Sequence, residues 1–325
     1  MITTMPTPKS ANPSTDAAHE PAIRVAGVSH AYGLRQALAD LSLEIRSGEW
    51  FAILGPNGGG KTTLFRLLST LVRVQTGDIR MLGHDLATEA TAIRHLIGVV
   101  FQSPSLDRKL TVAENIRLQA ALYGLRGREL AMRMDELLAR FGLSERAGEL
   151  TERLSGGLRR RVELAKGMIH QPRVLLLDEP SAGLDPAARR ELSEYLRGLA
   201  IEQGTTIVQT THHLEEADAA DRIAILNEGR LVALGEPDKL RSEVGGDSIT
   251  IETNAPDELA TGIRAALHLE ARVVEGAVRL EVQDGHTWIS RIIEAFPGQV
   301  AAIRLGKPTL EDFFVARTGR RFGPQ

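Results

Sequence analysis

The segment WFAILGPNGGGKTT, residues 50–63, decides the fold class of this chain. Its first five residues form an apolar run typical of a buried strand, and the residues from 64 onward have helical spacing. The loop between them fits the pattern G-x-x-x-x-G-K-[ST], in which backbone N–H groups and a helix N-terminus converge on phosphate oxygens. The residues expected to contact a nucleotide are Gly55, Pro56, Asn57, Gly58, Gly59, Gly60, Lys61, Thr62 and Thr63.

Two residues of this loop have specific expected roles. Lys61 would bridge the β- and γ-phosphates, and the Thr62 hydroxyl would be a ligand of Mg²⁺. A chance glycine-rich turn is the alternative, but it would need neither the strand before the loop nor the helix after it. The sequence therefore predicts a site for a nucleoside triphosphate and Mg²⁺.

A second apolar run, residues 174–177, ends in two adjacent carboxylates, Asp178 and Glu179. Neighbouring residues at a strand end point to different sides, so the two carboxylates can have separate roles. We expect Asp178 to serve the metal ion and Glu179 to orient or deprotonate an attacking water. A loop cap would explain Asp178 alone, but not two carboxylates after four apolar residues.

The wider pattern of apolar runs predicts an α/β fold. Parallel strands buried on both faces are expected at residues 97–101, 174–177, 206–209 and 223–226. Helical patterns separate these runs, which is typical of a layered α/β domain. The alternation stops at about residues 103–170, where an inserted helical subdomain is predicted, with helices at 112–125, 129–141 and 158–169.

Composition limits the classes of function. The length of 325 residues is typical of about two domains, and the net charge of −3 gives no reason to expect nucleic acid as a partner. The chain has no cysteine, so disulfides, thiolate metal sites and a cysteine nucleophile are excluded. No stretch approaches the roughly 18 to 20 apolar residues that span a bilayer, so action at a membrane would require a partner.

Three regions are predicted along the chain. Residues 1–21 are rich in Thr, Pro, Ala and Ser and are expected to form a disordered tail. Residues 22–242 form the nucleotide-binding domain, and residues 246–325 form a small α+β accessory domain. Its predicted order is βαββαβ, that of a ferredoxin-like unit, with a hairpin turn at Glu275 and Gly276 and a last short helix at 309–316.

Between the second and third predicted helices of the insert lies Leu-Ser-Gly-Gly, residues 154–157. Ser155 can cap the helix that follows, and Gly156 and Gly157 leave its first N–H groups open to an anion. By itself this segment is well explained as a helix cap. Together with the loop at 55–63 and the carboxylates, however, it resembles the signature of the ATP-binding cassette (ABC) family of ATPases, and the resemblance covers residues 22–240.

The resemblance implies a P-loop NTPase fold, ATP as the nucleotide and a catalytic unit made of two cassettes. In the family, cassettes pair head to tail, and the signature of one closes on the γ-phosphate held by the other. Ser155, Gly156 and Gly157 would therefore act in trans, on the ATP of a second copy or of a homologous cassette. Lys61 and Glu179 would act on the chain's own ATP.

The same resemblance implies roles for four further residues. Gln102 would touch Mg²⁺ and the water, and His212 would hydrogen-bond the γ-phosphate, while the adjacent His213 is expected at the surface. Tyr32 would stack on adenine, although a packing tyrosine explains it equally well. Asp185 would communicate across the dimer, and with Pro186 it also has the pattern of a helix N-cap and first helical residue.

Two further features near the signature are Leu158 and the three arginines that follow it. Leu158 stands where the family usually has glutamine, so contacts around the nucleotide could be weaker, although the anion donors remain. The following run Arg159-Arg160-Arg161 is predicted to be a solvated basic helix face rather than a DNA-binding patch, because the overall charge is near neutral.

The C-terminal segment PTLEDFF at 308–314, followed by TGR at 318–320, resembles ATPases of daunorubicin-resistance exporters, as does the stretch from 105 to 115. Members are separate chains that dock on a membrane permease, which implies a peripheral protein at the cytoplasmic face of the cell membrane. The alternative is a soluble ABC ATPase of translation or DNA repair. Translation-type members usually carry two cassettes, and repair-type members usually carry a long coiled-coil or zinc insertion.

Two other classes are less compatible with the sequence. A nucleotide-binding regulator without turnover would not need Glu179 and His212, and no Asn-Lys-x-Asp element of a GTPase is present. The transported substrate is left open between drug, lipid, heme and polysaccharide, because its contacts would lie in the permease.

Overall fold

The computed structural model describes residues 21–274 and 276–319. Nearly all of the predicted tail, the turn residue Glu275 and Arg320 lie outside the described residues. The strands are β1 (Ile23–Tyr32), β2 (Arg35–Ile45), β3 (Trp50–Leu54), β4 (Thr76–Met81), β5 (His84–Asp85), β6 (Ile97–Val100), β7 (Val174–Asp178), β8 (Thr206–Thr211), β9 (Arg222–Asn227), β10 (Arg230–Gly235), β11 (Asp247–Glu252), β12 (Ala271–Val274), β13 (Ala277–Val282) and β14 (Ala302–Gly306). The helices are α1 (Lys61–Leu68), α2 (Ala90–Leu96), α3 (Val112–Leu122), α4 (Gly127–Arg140), α5 (Gly156–Met168), α6 (Pro186–Gln203), α7 (Leu214–Asp218), α8 (Pro237–Val244), α9 (Pro256–Leu267), α10 (Gly285–Ala295) and α11 (Leu310–Thr318).

A six-stranded sheet of order β10-β9-β3-β8-β7-β6 forms the centre of the nucleotide-binding domain. Its strands from β9 to β6 are parallel, as predicted, and β10 is an antiparallel edge strand. Successive side chains of β3 and β7 enter different apolar clusters, for example Trp50 on one face and Phe51 on the other. Because both faces are covered, these strands are continuous apolar runs.

A second, antiparallel sheet of order β2-β1-β4-β5 was not predicted. It covers the cluster that contains Phe51, and its inward residues include Ile23, Val25 and Leu41. The β1–β2 hairpin also reaches the glycine-rich loop, so this sheet helps to build the site.

Helices α3, α4 and α5 form the predicted helical insert and share one apolar cluster with the central sheet. Thr111 caps α3 in a reciprocal pair with Glu114, in which each side chain bonds the other residue's backbone N–H. Helix α3 ends at Leu122, three residues before the predicted end. The left-handed conformation of Gly124, with φ of 74°, follows that end.

The C-terminal strands and helices have the predicted order βαββαβ, and they form an antiparallel sheet of order β12-β13-β11-β14 with its own apolar cluster. Its classification as ferredoxin-like stays a prediction. Helix α11 does not join that cluster, because Leu310, Phe313 and Phe314 are buried in the cluster shared with the central sheet. The boundary drawn at residues 242–246 thus separates two sheets, while the apolar cluster of the first domain extends across it.

Candidate hydrolysis site

The glycine-rich loop is shaped by two neighbouring backbones. A Cβ atom on Gly55 would lie 2.3 Å from the carbonyl oxygen of Leu226, and one on Gly60 would lie 2.9 Å from that of Ala37. Gly60 also has φ of 107°, which L side chains rarely adopt. The loop is therefore held between β9 and β2, and α1 begins directly after it at Lys61.

Lys61 is buried in this loop. Its Nζ donates to the carbonyl oxygens of Gly55 at 2.7 Å and Pro56 at 3.1 Å. Burial lowers the pKa of the ammonium, and the nearby carboxylates of Glu179 and Asp178 oppose that shift. The positive charge is thus placed between the loop and the two acidic residues at the end of β7.

Asp178 is positioned by the neighbouring strand. It lies opposite Thr210 in the parallel register of β7 and β8, and the Thr210 hydroxyl donates to Asp178 Oδ1 at 2.6 Å. Burial raises the pKa of this carboxyl group, the hydrogen bond from Thr210 opposes the rise, and the adjacent charge of Glu179 adds to it. The carboxylate is fixed in place at a desolvation cost, which a cation would offset.

Glu179 lies between two of the other predicted catalytic residues. Its Oε2 accepts from Gln102 Nε2 at 3.0 Å, and its Oε1 lies 3.1 Å from Nδ1 of His212. The latter approach is not aligned as a hydrogen bond, and His212 Nδ1 has no hydrogen-bond partner within the described part of the chain. The three side chains follow β6, β7 and β8, so neighbouring parallel strands bring them together at their carboxyl ends.

The backbone of Glu179 is held in an unusual conformation. Its φ is 42°, a region that non-glycine residues rarely occupy. Its N–H donates to Thr210, to the hydroxyl at 3.0 Å and to the carbonyl oxygen at 3.2 Å. Thr210 therefore orients both acidic residues, a role that the sequence analysis did not predict.

A buried carboxylate next to the site was also missed. Glu216 of α7 accepts from Thr211 Oγ1 at 2.8 Å and from the hydroxyl of Ser181. Ser181 lies two residues after Glu179, and Thr211 directly precedes His212, so Glu216 ties the two segments together. One acidic residue in the first turn of a short helix carries no sequence signal of such a role.

The signature and the predicted dimer-contact loop cap two helices. Ser155 Oγ accepts from the N–H of Leu158 at 3.3 Å, and Gly156 is exposed. Asp185 Oδ1 accepts from the N–H groups of Ala187 at 3.0 Å and Ala188 at 2.9 Å. The predicted capping roles are confirmed, and action on a neighbouring nucleotide remains a proposal.

Both helix starts line one groove of about 710 Å³ between α5 and α6. Leu158 lies at this groove, partly buried against the cluster of the helical insert. Among the described residues that line the groove, none is Lys61, Asp178 or Glu179. The signature and the hydrolysis site therefore belong to separate surfaces of the chain.

The prediction of a solvated arginine run is wrong for its middle residue. Arg160 is buried, because backbone carbonyls and Glu163 surround its guanidinium. Arg159 donates to the carbonyl oxygen of Leu154, and Arg161 pairs with Glu191. A glutamate three residues after an arginine was the one available signal, since such pairs share a helix face.

Tyr32 is placed near the loop but is not fixed by it. The residue ends β1, is 44% exposed and packs edge-on against His30 with ring centroids 4.8 Å apart. Its strand partner Arg35 reaches the loop, with a guanidinium nitrogen 3.4 Å from the position of a Cβ on Gly58. Stacking of Tyr32 on adenine stays a prediction. His213 is half-buried against the ring of His212.

The described residues contain neither a membrane-spanning helix nor a cluster of side chains that could bind a metal. Over residues 21–274 and 276–319, no helix has the length and apolar character to cross a membrane. In the same ranges, no group of three or more His, Cys, Asp or Glu side chains could bind a metal ion. A metal at this site would need oxygen ligands from other residues and from the nucleotide, as is usual for Mg²⁺.

The parallel sheet with its glycine-rich loop, the buried lysine and the strand-end acidic pair define a P-loop nucleoside triphosphatase. A family model described as ABC transporter matches residues 38–182. The daunorubicin resistance ATP-binding protein DrrA3 of Streptomyces coeruleorubidus is 40% identical over 92% of this chain and 96% of its own length. The Nod factor export ATP-binding protein I of Rhizobium johnstonii is 38% identical over 92% of this chain and 95% of its own length.

The chain belongs to the ATP-binding proteins of the ABC transporter family. A solved dimeric cassette in a post-hydrolysis state, bound to ADP and Pi, is 29% identical with a TM-score of 0.60, and the match covers 66% of this chain and 98% of that one. The predicted P-loop NTPase fold of the cassette and the predicted ATPase activity are thereby confirmed.

Proposed function

We propose that this chain is the ATP-hydrolysing subunit of an ABC exporter, and that it works as a head-to-tail dimer of cassettes on a separate membrane permease. One observation carries the catalytic part of the proposal: Glu179 lies within 3.1 Å of both Gln102 and His212, and beside the buried Asp178. Relatives named for resistance and export match along most of the chain, which supports export over a role in translation or DNA repair.

The donor set of the site fits Mg²⁺. Thr62 is exposed at the start of α1, Asp178 has a desolvated carboxylate, and Gln102 presents an amide. These are hard oxygen ligands, and phosphate oxygens would complete the coordination. Bound there, the ion would neutralise charge on the phosphates, while Lys61 would leave its two loop carbonyls for phosphate oxygens.

We assign to Glu179 the role of orienting the water that attacks the γ-phosphate. Its carboxylate is held at one oxygen by Gln102, and its backbone by Thr210. A carboxylate in this position can orient the water and accept its proton. His212, on the other side of Glu179, would donate to the γ-phosphate.

The separation of the signature groove from Lys61 and Glu179 supports a dimer. A phosphate at the open start of α5 would have to belong to a second cassette, as in head-to-tail pairing. ATP would then close the interface and hydrolysis would reopen it, which is how a bound nucleotide drives a mechanical cycle.

Glu179→Gln tests the catalytic assignment. The amide keeps the size of the side chain but cannot accept the proton, so turnover should be almost abolished while ATP binding persists and a closed dimer accumulates. The control is Glu215→Gln, an exposed acidic residue of α7 near His212, which should keep wild-type turnover. Near-normal ATP hydrolysis in Glu179→Gln would contradict the assignment.

We place the permease contact at a groove beside the strand that leads to Gln102. The groove has a volume of about 470 Å³ and is lined by Val100, Phe101, Gln119 of α3 and Tyr123 directly after that helix. The last residue of α3, Leu122, directly precedes Tyr123 in the sequence and is 73% exposed. An exposed apolar side chain near a groove can anchor a helix end of a partner.

Co-purification from detergent-solubilised membranes tests the partner. The wild-type chain should recover a multi-spanning protein, as we expect of a peripheral protein at the cytoplasmic face of the membrane. Leu122→Glu should lose that protein without losing ATPase activity, whereas Ile201→Glu, on the similarly exposed Ile201 of α6, should retain it. Recovery of ribosomal or DNA-repair components instead would favour the alternative function.

A further inference from the structure

One buried guanidinium joins the helix of the signature to the backbone around Glu179. Arg160 lies in α5 and is only 8% exposed. Its Nε donates to the carbonyl oxygen of Pro180 at 2.7 Å, and its Nη1 donates to that of Phe101 at 2.7 Å. A longer contact of 3.4 Å joins Nη2 to the carbonyl oxygen of Asp178.

These carbonyls flank the two side chains that meet in the hydrolysis site. Asp178 and Pro180 are the two sequence neighbours of Glu179, and Phe101 directly precedes Gln102. The Gln102 amide and the Glu179 carboxylate are themselves hydrogen-bonded at 3.0 Å. A single side chain therefore positions both backbone segments from which this pair projects.

The ion pair of Arg160 fixes it further. Glu163, also in α5 and buried, accepts from Nη1 at 2.8 Å. The carboxylate oxygen Oε1 of Glu163 accepts from the N–H of Ser105, in the segment that follows Gln102. A planar guanidinium can serve several acceptors in fixed directions at once, whereas an ammonium has no such fork.

We propose that Arg160 is a positioning residue that transmits the state of the signature to the hydrolysis site of the same chain. The start of α5, at Ser155, is where the phosphate of the neighbouring cassette's ATP would bind. A shift of this helix moves Arg160 and, through the carbonyls it bonds, the backbone on both sides of Glu179. Binding of one nucleotide thereby adjusts hydrolysis of the other.

This inference rests on the proposed function, because it requires a signature that acts in trans. The main variant is Arg160→Lys, which keeps a positive charge beside Glu163 and so avoids an unpaired buried carboxylate. We expect its kcat for MgATP to fall about tenfold or more through misplacement of Glu179. The Kd for ATP should not change, since Arg160 contacts none of the loop at 55–63.

The matched control is Arg161→Lys, the same change one residue along α5, where the guanidinium pairs with Glu191. It should keep the wild-type kcat. If thermal melting shows that Arg160→Lys is not folded, Arg160→Gln with Glu163→Gln replaces it, because that pair removes both buried charges together. A kcat equal to that of Arg161→Lys, or an equal loss of kcat and ATP affinity, would overturn the proposal.

A double-mutant cycle with Ser155→Ala separates transmission from a purely structural role when both changes are made in one cassette of a mixed dimer whose other cassette carries Glu179→Gln, because only the variant cassette then hydrolyses ATP. If Arg160 carries the effect of the signature, the kcat of the double variant should be no lower than that of the less active single variant. Multiplicative losses would overturn the proposal. The proposed function fails by a different result, namely a wild-type ATPase activity that is independent of dimerisation.

Discussion

Phe314→Ala tests whether α11 is part of the core of the nucleotide-binding domain. Phe314 is 1% exposed and lies in the cluster that also contains Trp50 and Leu175 of the central sheet. Burying a phenylalanine removes about 150–250 Å² from water, which at about 25 cal/mol per Å² amounts to about 4–6 kcal/mol as an upper bound. Measured losses for such truncations are about 3–5 kcal/mol, a large part of a typical stability of about 5–15 kcal/mol.

The two tryptophans of the chain allow this loss to be assigned to one domain. Trp50 is buried in β3, and Trp288 packs in the C-terminal cluster, so in a Trp288→Phe background the fluorescence follows the central sheet alone. Urea unfolding in that background should show a clearly lower midpoint for Phe314→Ala, with the slope unchanged. The matched control is Phe296→Ala, in the C-terminal cluster, which should leave the Trp50 transition in place. An unchanged midpoint for Phe314→Ala, or an equal loss in both variants, would refute the assignment.

Three further predictions concern the site. Asp178→Asn should abolish Mg²⁺-dependent turnover yet stabilise the nucleotide-free protein at neutral pH. Burial raises the pKa of Asp178 in the folded protein above its value in the unfolded chain. The stability contributed by this group is therefore fully present below the unfolded pKa, where the carboxyl group is protonated in both states. It is lost as the pH rises through the higher folded pKa. The gain in melting temperature should therefore be present at pH 7 and small at pH 4, and an equal gain at both would contradict the linkage. Gly60→Ala should abolish ATP binding in calorimetric titrations, because its Cβ would lie 2.9 Å from the Ala37 carbonyl oxygen, whereas Gly148→Ala, with open space around the added atom, should bind normally. Thr210→Val should lower stability by about 1–3 kcal/mol and lower kcat, because Asp178 loses its hydroxyl donor; wild-type kinetics would show that Thr210 does not orient the acidic pair.

Much of the fold could be predicted because the parallel strands are buried on both faces. The runs that became β6, β7 and β9 each contain four consecutive apolar or glycine residues, all six residues of the threonine-rich β8 are buried, and the loop at 55–63 marks the start of α1. The sheet of β1, β2, β4 and β5 was missed for a physical reason. The pairing of β1 with β2 shifts register between Val25 and Val28 and again near His30, so the alternation of buried and exposed residues is broken along both strands.

In the site, too, residues in short sequence patterns could be predicted, whereas a residue that depends on distant contacts could not. Lys61, Asp178 and Glu179 could be found because a loop and a strand end carry them in short patterns. Arg160 was misjudged, because its partners are carbonyls that lie 59 and 20 residues away. Backbone acceptors leave no trace in the residue types of a sequence, so a buried arginine that serves them looks like a solvated one.

The placement of α11 has a consequence for how the chain folds during synthesis. The apolar cluster shared with the central sheet includes Leu310, Phe313 and Phe314, which are translated long after the strands of that cluster. A nascent chain that has exposed the whole nucleotide-binding domain must therefore hold part of that apolar surface uncovered while the C-terminal sheet is made. Chaperones can bind this surface during that interval, and a chain that ends within the C-terminal sheet would leave part of this apolar cluster exposed.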